Sequence, residues 1–174
     1  MKLLICLILT IIITGCSTAF PNKNITGLTL PEMAGETLTQ KEVSLPSMFA
    51  TKNTLLLVGY KQNSQFDIDR WLIALDMTNT DVKAYEIPAI QGMFPRMFST
   101  VINDGMRAGI PKELWGGVVT LYADGERMQA FTGNEKGNNA RILLIDQTGK
   151  ILYFYDRGFS VQALNDLRDV LKQS

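Results

Sequence analysis

Residues 54–75 constrain the fold of this chain most, because their pattern predicts a buried strand, a short polar loop and an amphipathic helix. Residues 54–60 are an almost unbroken apolar run, typical of a central parallel strand covered on both faces. Ser64 is predicted to be the N-cap of the helix, with Asp67 three residues on. The helix repeats its apolar side chains at i, i+3, i+4 and i+7, at Ile68, Trp71, Leu72 and Leu75.

The loop between this strand and helix, residues 61–65, is the first place to look for a functional site. Open α/β folds put their chemistry at the carboxyl ends of strands, where a loop enters the N-terminus of a helix. This loop contains no cysteine, no histidine and no glycine-rich phosphate cradle.

Composition excludes several classes of function. A chain of 174 residues with 46% hydrophobic residues is the right size for one domain with a sizeable core. Lys plus Arg and Asp plus Glu are 17 each, so no overall field attracts nucleic acid. The chain has no histidine and only two cysteines, Cys6 and Cys16. We therefore expect no disulfide framework, no metal centre and no cofactor.

The N-terminus predicts export. Met1 and Lys2 precede an apolar run over residues 3–13, which is too short to span a bilayer and is typical of a secretory signal. Residues 13–17 resemble the bacterial lipobox, in which cleavage precedes a cysteine that receives a diacylglycerol. This resemblance implies a signal peptide at 1–15 and lipid attachment at Cys16. The alternative is an ordinary signal peptide that leaves Cys16 as a free thiol.

Lipidation implies a membrane location without a spanning helix. Several acyl chains on one residue, at about 0.8 kcal/mol for each buried methylene, anchor a protein stably. By the sorting pattern of such lipoproteins, Ser17 after the lipidated cysteine implies the outer membrane, on the side facing the periplasm. Residues 16–29 are polar and predict a tether, followed by a folded domain over residues 30–174.

The next part of the chain predicts further strands and one helix. Residues 28–31 and 42–45 fit short edge strands, and residues 81–87 predict a second strand parallel to the first, ended by Pro88. A helix is expected over residues 94–106, because four apolar side chains share one face and would pack in the core: Phe94, Met97, Phe98 and Val101.

The C-terminal third predicts mostly antiparallel structure. Residues 117–122 predict a strand, and residues 126–131 fit either a strand beside it or a loop. Residues 133–139 are the most polar stretch and predict a surface loop, either a binding loop or a plain connection. Residues 141–146 and 150–155 predict a hairpin.

A final helix completes the expected fold. Ser160 is its predicted N-cap, and its inward face carries Leu164, Leu167, Val170 and Leu171. Strand and helix alternate early and antiparallel strands come late, so the fold class is α/β with a mixed central sheet and helices on both faces.

This order of elements resembles the thioredoxin-like fold in its redoxin or peroxiredoxin form, a three-layer α/β/α sandwich. The residues that carry the resemblance are the strand at 54–60 and the segment 142–151, which is similar to the apolar strand, Asp and Gly-Lys-Ile hairpin of that family. Residues 106–111 also resemble, weakly, the thioredoxin-like assembly factors of ATP synthase.

The departures from the family are as informative as the match. Redox-active members place a Cys-x-x-Cys or a peroxidatic cysteine between the first core strand and its helix, where the helix N-terminus lowers the thiol pKa. Here that position is residues 61–65. Those members also have a cis-proline before the hairpin, where this chain has Asn139, Ala140 and Arg141.

Few single residues stand out as candidates. Ser64 could be a nucleophile and Lys61 a base, but without an imidazole a cap and a solvated lysine are the simpler interpretations. Met93 and Met97 could bind Cu(I), although their apolar neighbours favour core packing. Trp115, beside two glycines, could contact a partner or pack on the sheet. The scattered arginines are expected to be solvated or in surface ion pairs.

These observations lead to three functional hypotheses. The first is a membrane-anchored, non-catalytic protein that binds an envelope protein, with Asn63, Ser64 and Trp115 as candidate contacts. The second is a thiol-disulfide oxidoreductase or peroxidase that uses an unlipidated Cys16. The third is a site for a small hydrophobic ligand or for a metal held by carboxylates and methionines.

Overall fold

The computed structural model describes residues 20–49, 52–92 and 97–174. The signal peptide, Cys16 and Met93 lie outside the described residues. The strands are β1 Met33–Thr37, β2 Glu42–Leu45, β3 Thr54–Gly59, β4 Lys83–Pro88, β5 Val119–Thr120, β6 Arg141–Ile145 and β7 Ile151–Tyr155. The α-helices are α1 Gln65–Met77, α2 Ser99–Gly109, α3 Gly125–Thr132 and α4 Val161–Gln173, with 3-10 turns at Ser47–Phe49, Gln62–Ser64 and Lys112–Gly117.

A mixed four-stranded sheet in the order β4-β3-β6-β7 forms the centre of the molecule. β3 pairs parallel with β4 and antiparallel with β6, and β6 pairs antiparallel with β7. The predicted central strand, the parallel second strand and the hairpin are therefore confirmed. β3 is the inner strand through which the parallel and antiparallel parts of the sheet meet.

Both faces of β3 are buried, as its apolar sequence predicts. Leu55 and Leu57 belong to the core cluster under α1 and α4, whereas Leu56 and Val58 belong to the cluster on the opposite face. That opposite cluster includes Met128 of α3 together with side chains of the β1–β2 hairpin. Helices therefore cover both faces, which confirms the α/β fold class.

Helix α1 packs on the sheet through the face that its sequence predicts. Ile68, Trp71 and Leu75 are buried, and burying such side chains contributes roughly 1.5–3 kcal/mol each. The Trp71 ring lies edge-on to Phe159, with 5.5 Å between centroids, and its Nε1 donates a hydrogen bond to the Gly158 carbonyl at 2.8 Å. This bond satisfies the one polar atom that the tryptophan brings into the core.

A smaller sheet in the order β2-β1-β5 adjoins the central one. Isolated parallel bridges join Glu86 to Val118 and Ala89 to Leu121, so the chain around β5 runs beside β4. The strand predicted over residues 117–122 is real but only two residues long. The strand or loop expected over residues 126–131 is wrong, because this segment is helix α3.

The beginning of the folded part lies earlier than the predicted domain boundary at residue 30. Ile25 is fully buried in the core cluster, and the Gly27 amide donates to the Ile151 carbonyl at 2.8 Å. Residues 28–31 form only one bridge, between Thr29 and Lys150, rather than the edge strand that we expected. The described part of the predicted tether therefore packs against the domain, because Ile25 and Leu30 fill its core.

Helix α2 is the largest error in the predicted core. Met97, Phe98 and Val101 were expected to pack inward, but their exposed fractions are 72%, 54% and 68%. Asn103 is instead the buried residue of the helix, donating to Glu36 at 3.3 Å and accepting from Tyr122 at 2.9 Å. Polar contacts to the β1 side of the domain set the orientation of this helix, and the apolar side chains at its start face outward.

The polar loop at residues 133–139 is only partly on the surface, because Gly133, Asn134 and Gly137 are buried. Its carbonyls surround Arg141, which we expected to be solvated or paired and which is fully buried. The guanidinium donates to the carbonyls of Gly133 (3.2 Å), Lys136 (3.0 Å) and Asn139 (2.8 Å), and to the Asn22 side chain (3.1 Å). Arg141 thus joins the loop to the N-terminal segment.

Helix α4 begins as predicted. The Ser160 hydroxyl accepts a hydrogen bond from the Ala163 amide at 3.3 Å, which confirms the N-cap. Leu164 and Leu167 are buried, and Val170 and Leu171 are half-buried beside them. Within residues 20–49, 52–92 and 97–174, no helix has the length and apolar content to cross a membrane.

Two glycines allow a matched test of the packing between α3 and the end of β4. A Cβ at Gly125 would lie 2.2 Å from the Ile90 carbonyl oxygen, whereas a Cβ at Gly105 in α2 would meet nothing within 4 Å. We expect Gly125→Ala to lower the free energy of unfolding by about 1–3 kcal/mol. Gly105→Ala should leave it unchanged or raise it by up to about 1 kcal/mol. Urea denaturation of both variants would check this, and equal values would contradict the packing.

The buried guanidinium gives a second prediction. Arg141→Lys keeps the charge but cannot reach the same acceptors in fork geometry, so we expect a loss of about 2 kcal/mol in the free energy of unfolding. Arg157→Lys is the control, because the Arg157 side chain is 84% exposed and such changes stay within about 0.5 kcal/mol. Urea denaturation measures both, and a loss confined to Arg157→Lys would contradict the account.

Candidate functional site

A groove lies at the carboxyl ends of β3 and β4, between the start of α1 and helix α2, and has a volume of about 750 Å³. This is the position that the strand-loop-helix pattern predicted. The groove is lined by Gly59, Tyr60, Lys61, Gln62, Ser64, Gln65, Ile68, Pro88, Ala89, Ile90, Gln91, Ile102, Gly105 and Met106. A second, more open depression of about 500 Å³ lies over β1, β2 and residues 120–123.

Ser64 is positioned as a structural residue. Ser64 occupies the predicted N-cap position of α1, but its backbone is already helical and its side chain makes no capping hydrogen bond. The Ser64 hydroxyl donates instead to the Lys61 carbonyl at 2.6 Å and is buried against Gly59, whose added Cβ would lie 2.5 Å from Ser64 Oγ. A 3-10 turn at Gln62–Ser64 leads directly into α1, so the backbone at the cap position is helical rather than extended.

The contacts of Ser64 are those of a structural residue rather than of an activated nucleophile. A serine hydroxyl needs an adjacent base to become a nucleophile, and its neighbour here is a backbone carbonyl. The chain has no histidine. Lys61 is exposed in the same loop, as its polar context predicted.

The walls of the groove are mainly apolar, and its rim is polar. Ile68 of α1 faces Ile102 and Met106 of α2 across the opening, while Gln62 and Gln91 lie exposed at its edge. Such a combination of apolar floor and amide rim suits an apolar side chain of a protein or peptide, or a small hydrophobic ligand. Sequence reasoning missed Ile102 and Met106, although their spacing of four marks one face of a helix.

Tyr60 forms the end of the groove beside Arg141. Its hydroxyl hydrogen-bonds to the Thr132 hydroxyl and donates to the Met128 carbonyl at 3.3 Å. The Arg141 guanidinium lies 5.8 Å from the centre of the Tyr60 ring. Burial raises the pKa of Tyr60, so the phenol stays protonated at neutral pH. Its role is to join the groove to α3 and to the buried guanidinium.

Glu86, which bonds to the groove residue Gln65, is a carboxyl group with an altered pKa. Burial raises the pKa of this carboxyl, and the charge of Asp69 adds to the effect. Gln65 partly offsets it by donating from Nε2 to Glu86 at 3.1 Å while also donating to Asp69 at 2.9 Å. Two carboxylates and one amide therefore form a polar cluster behind the α1 side of the opening.

The three predicted contact residues do not come together. Asn63 is exposed but is not among the residues that line the groove, and Ser64 lines it while only 2% exposed. Trp115 lies outside the groove and is half-buried. Its Nε1 donates to the Ile110 carbonyl at 2.8 Å, and the Arg107 guanidinium lies 5.7 Å from its ring centre. In the part of the chain that is described, no cluster of three or more Cys, Asp or Glu could hold a metal.

The raised pKa of Glu86 leads to a pH-dependent prediction. When folding raises the pKa of a carboxyl, the folded state loses stability as pH rises from the ordinary pKa to the raised one. Glu86→Gln should therefore unfold at higher denaturant concentration than the unsubstituted protein at pH 7, and the difference should vanish as pH falls below the ordinary value of 4.5. Glu113→Gln, at an exposed position, controls for the change in net charge. A less stable Glu86→Gln at pH 7 would contradict the assignment.

No protein-family model matches the sequence, and no curated protein matches it. Solved structures do match. A thiol peroxidase from Chromobacterium violaceum is 14% identical with a TM-score of 0.59, over 89% of this chain and 91% of that one. The thioredoxin domain of a thiol-disulfide oxidoreductase from Bacteroides vulgatus is 18% identical with a TM-score of 0.54, over 87% and 98%.

An exposed lipoprotein thioredoxin from Streptococcus pneumoniae is 10% identical with a TM-score of 0.53, over 80% of this chain and 98% of that one. At these identities the likeness concerns the backbone and not the reaction. Together with the mixed sheet and the helices on both faces, these matches show that the chain has the thioredoxin-like fold.

Proposed function

We propose that this chain is a lipid-anchored, non-catalytic thioredoxin-like protein that binds another protein in the bacterial cell envelope, as an assembly or scaffolding factor. The observation that carries the proposal is the groove at the strand ends. It is open and mainly apolar, while the loop beside it, at residues 61–65, has no thiol and its serine hydroxyl is engaged by a backbone carbonyl.

The proposed location follows from the N-terminal sequence. The lipobox-like segment ending at Cys16 and Ser17 supports an anchor in the outer membrane, with the domain facing the periplasm. One of the structural neighbours is itself described as an exposed lipoprotein. The balanced charge of the chain gives no support to a nucleic-acid partner.

The competing function is thiol-disulfide exchange or peroxide reduction by an unlipidated Cys16. One observation favours it: the described chain begins at Phe20, whose carbonyl accepts from the Asn134 amide at 2.7 Å, in the loop next to Lys61. A cysteine four residues earlier is thus close along the chain to the edge that carries the groove. Labelling the membrane-extracted protein with a thiol reagent separates the two functions, because an acylated Cys16 does not react.

Partner binding can be tested by photocrosslinking in intact envelopes. A photoreactive residue is placed at Gln91, on the groove rim, or at Met77, the end of α1 at the opposite edge of the sheet. We expect a discrete protein adduct from position 91 and none from position 77, because only the first position borders the apolar walls.

Two further variants make this test specific for the groove. Met106→Glu puts a charge on the groove wall, and Ile73→Glu puts the same charge at a 58% exposed position of α1 outside it. We expect Met106→Glu to reduce the adduct about tenfold or more, the effect of roughly 1.4 kcal/mol on binding, and Ile73→Glu to leave it unchanged. Thermal melting confirms that both fold. Equal adducts in the two variants would contradict binding in the groove.

A further inference from the structure

We propose that the exposed apolar side of α2 lies on the surface of the bilayer that carries the lipid anchor. We define the α2 stripe as Met97, Phe98 and Val101, which directly precede or begin this helix. The inference rests on the lipidation of Cys16 in the proposed function and adds to it a second contact with the membrane, through protein side chains.

The first step is that the domain does not cover the α2 stripe. Its three side chains are more than half exposed, whereas the opposite side of the same helix is packed through polar groups. Asn103 is 3% exposed and bonds to Glu36 and Tyr122, and Arg107 donates to the Leu38 carbonyl at 2.8 Å. Three neighbouring large apolar side chains exposed at the start of a helix are typical of a surface with an external apolar partner.

The second step is that the described N-terminal segment, from Phe20, and α2 lie at the same edge of the sheet. Asn22 accepts from Arg141 at 3.1 Å, and Arg141 lies over the Tyr60 ring at the end of the groove. A Cβ at Gly137, in the loop that contacts the N-terminal segment, would lie 3.1 Å from the Lys61 side chain. Helix α2 forms the other wall of the groove that Tyr60 and Lys61 line.

The third step is the reach of the chain. Cys16 lies four residues before Phe20, and four residues span at most about 14 Å when fully extended. This edge of the domain is therefore held close to the headgroups. Apolar side chains of a helix that is held this close to the headgroups insert into the boundary between headgroups and acyl chains. Phe66, in the first turn of α1 and 65% exposed, adds an aromatic ring at the same edge.

The test uses the full processed lipoprotein with one added cysteine. Val101→Cys places it in the α2 stripe, and Met77→Cys places it at the opposite edge of the sheet, at an equally apolar position that is 77% exposed. Each variant is labelled with an environment-sensitive fluorophore and reconstituted into vesicles of phosphatidylethanolamine and phosphatidylglycerol. Nitroxide groups on the acyl chains of added lipid quench only fluorophores that enter the bilayer. Thermal melting checks that both variants fold.

We expect the label at position 101 to emit at shorter wavelength in vesicles and to be quenched at least about twofold more than the label at position 77, as for a helix buried in the interface. Equal quenching at the two positions would overturn the proposal. A label at position 101 that emits at shorter wavelength but is not quenched would also overturn it, because a protein rather than lipid would then cover the α2 stripe.

The unsubstituted lipoprotein separates this inference from the function on which it rests. Its only thiol after processing is Cys16, so uptake of the label by this protein would show that Cys16 is not acylated. The anchor and the inference would then fail together. No uptake, combined with equal quenching at positions 101 and 77, would leave the anchor standing and overturn the inference alone.

Discussion

The burial of β3 on both faces is the constraint on which the rest of the structure depends. Its alternate side chains enter two separate clusters, Leu55 and Leu57 under α1 and α4, and Leu56 and Val58 against α3 and the β1–β2 hairpin. Because this strand cannot shift without exposing one of these sets, its carboxyl end is fixed. The loop that follows, the first turn of α1 and the floor of the groove are fixed with it.

The groove therefore has a fixed base, and the loop beside it, residues 61–65, contains no cysteine or histidine. Where redox-active proteins of this fold have a reactive thiol, this chain has a serine whose hydroxyl donates to the Lys61 carbonyl. The Tyr60 hydroxyl, in the same groove, hydrogen-bonds to the Thr132 hydroxyl and to the Met128 carbonyl, and burial raises its pKa further above neutral pH. The apolar walls of the groove and the amide groups at its rim suit recognition of another protein. This is the physical basis for proposing a binding protein on an enzyme-like scaffold.

The sequence predicted those elements whose pattern reflects burial in one sheet. The strand β3, the hairpin of β6 and β7, the face of α1 and the cap at Ser160 all follow from local periodicity and capping chemistry. Helix α2 was predicted with its apolar stripe inward, because periodicity alone does not say which side meets the domain. That side was decided by Asn103 and Arg107, which bond to β1 and the residue after it, distant in sequence.

Long-range contacts also explain the other differences. Arg141 is buried because carbonyls of the 133–139 loop and the Asn22 side chain converge on it, and no local pattern predicts that convergence. Ser64 lost its predicted capping role because a 3-10 turn joins the loop to α1 without a break. A groove does lie at the strand ends where the sequence pattern placed the candidate site, and the residues of α2 that form its far wall were not predicted.

The claim that the domain binds without catalysing is tested most directly by the redox activity of the processed protein. The measurement is the rate of insulin reduction with dithiothreitol, and of peroxide removal, by lipoprotein purified from membranes. The account predicts rates equal to those of a blank without protein. Rates well above the blank that are lost in Cys16→Ser would contradict it.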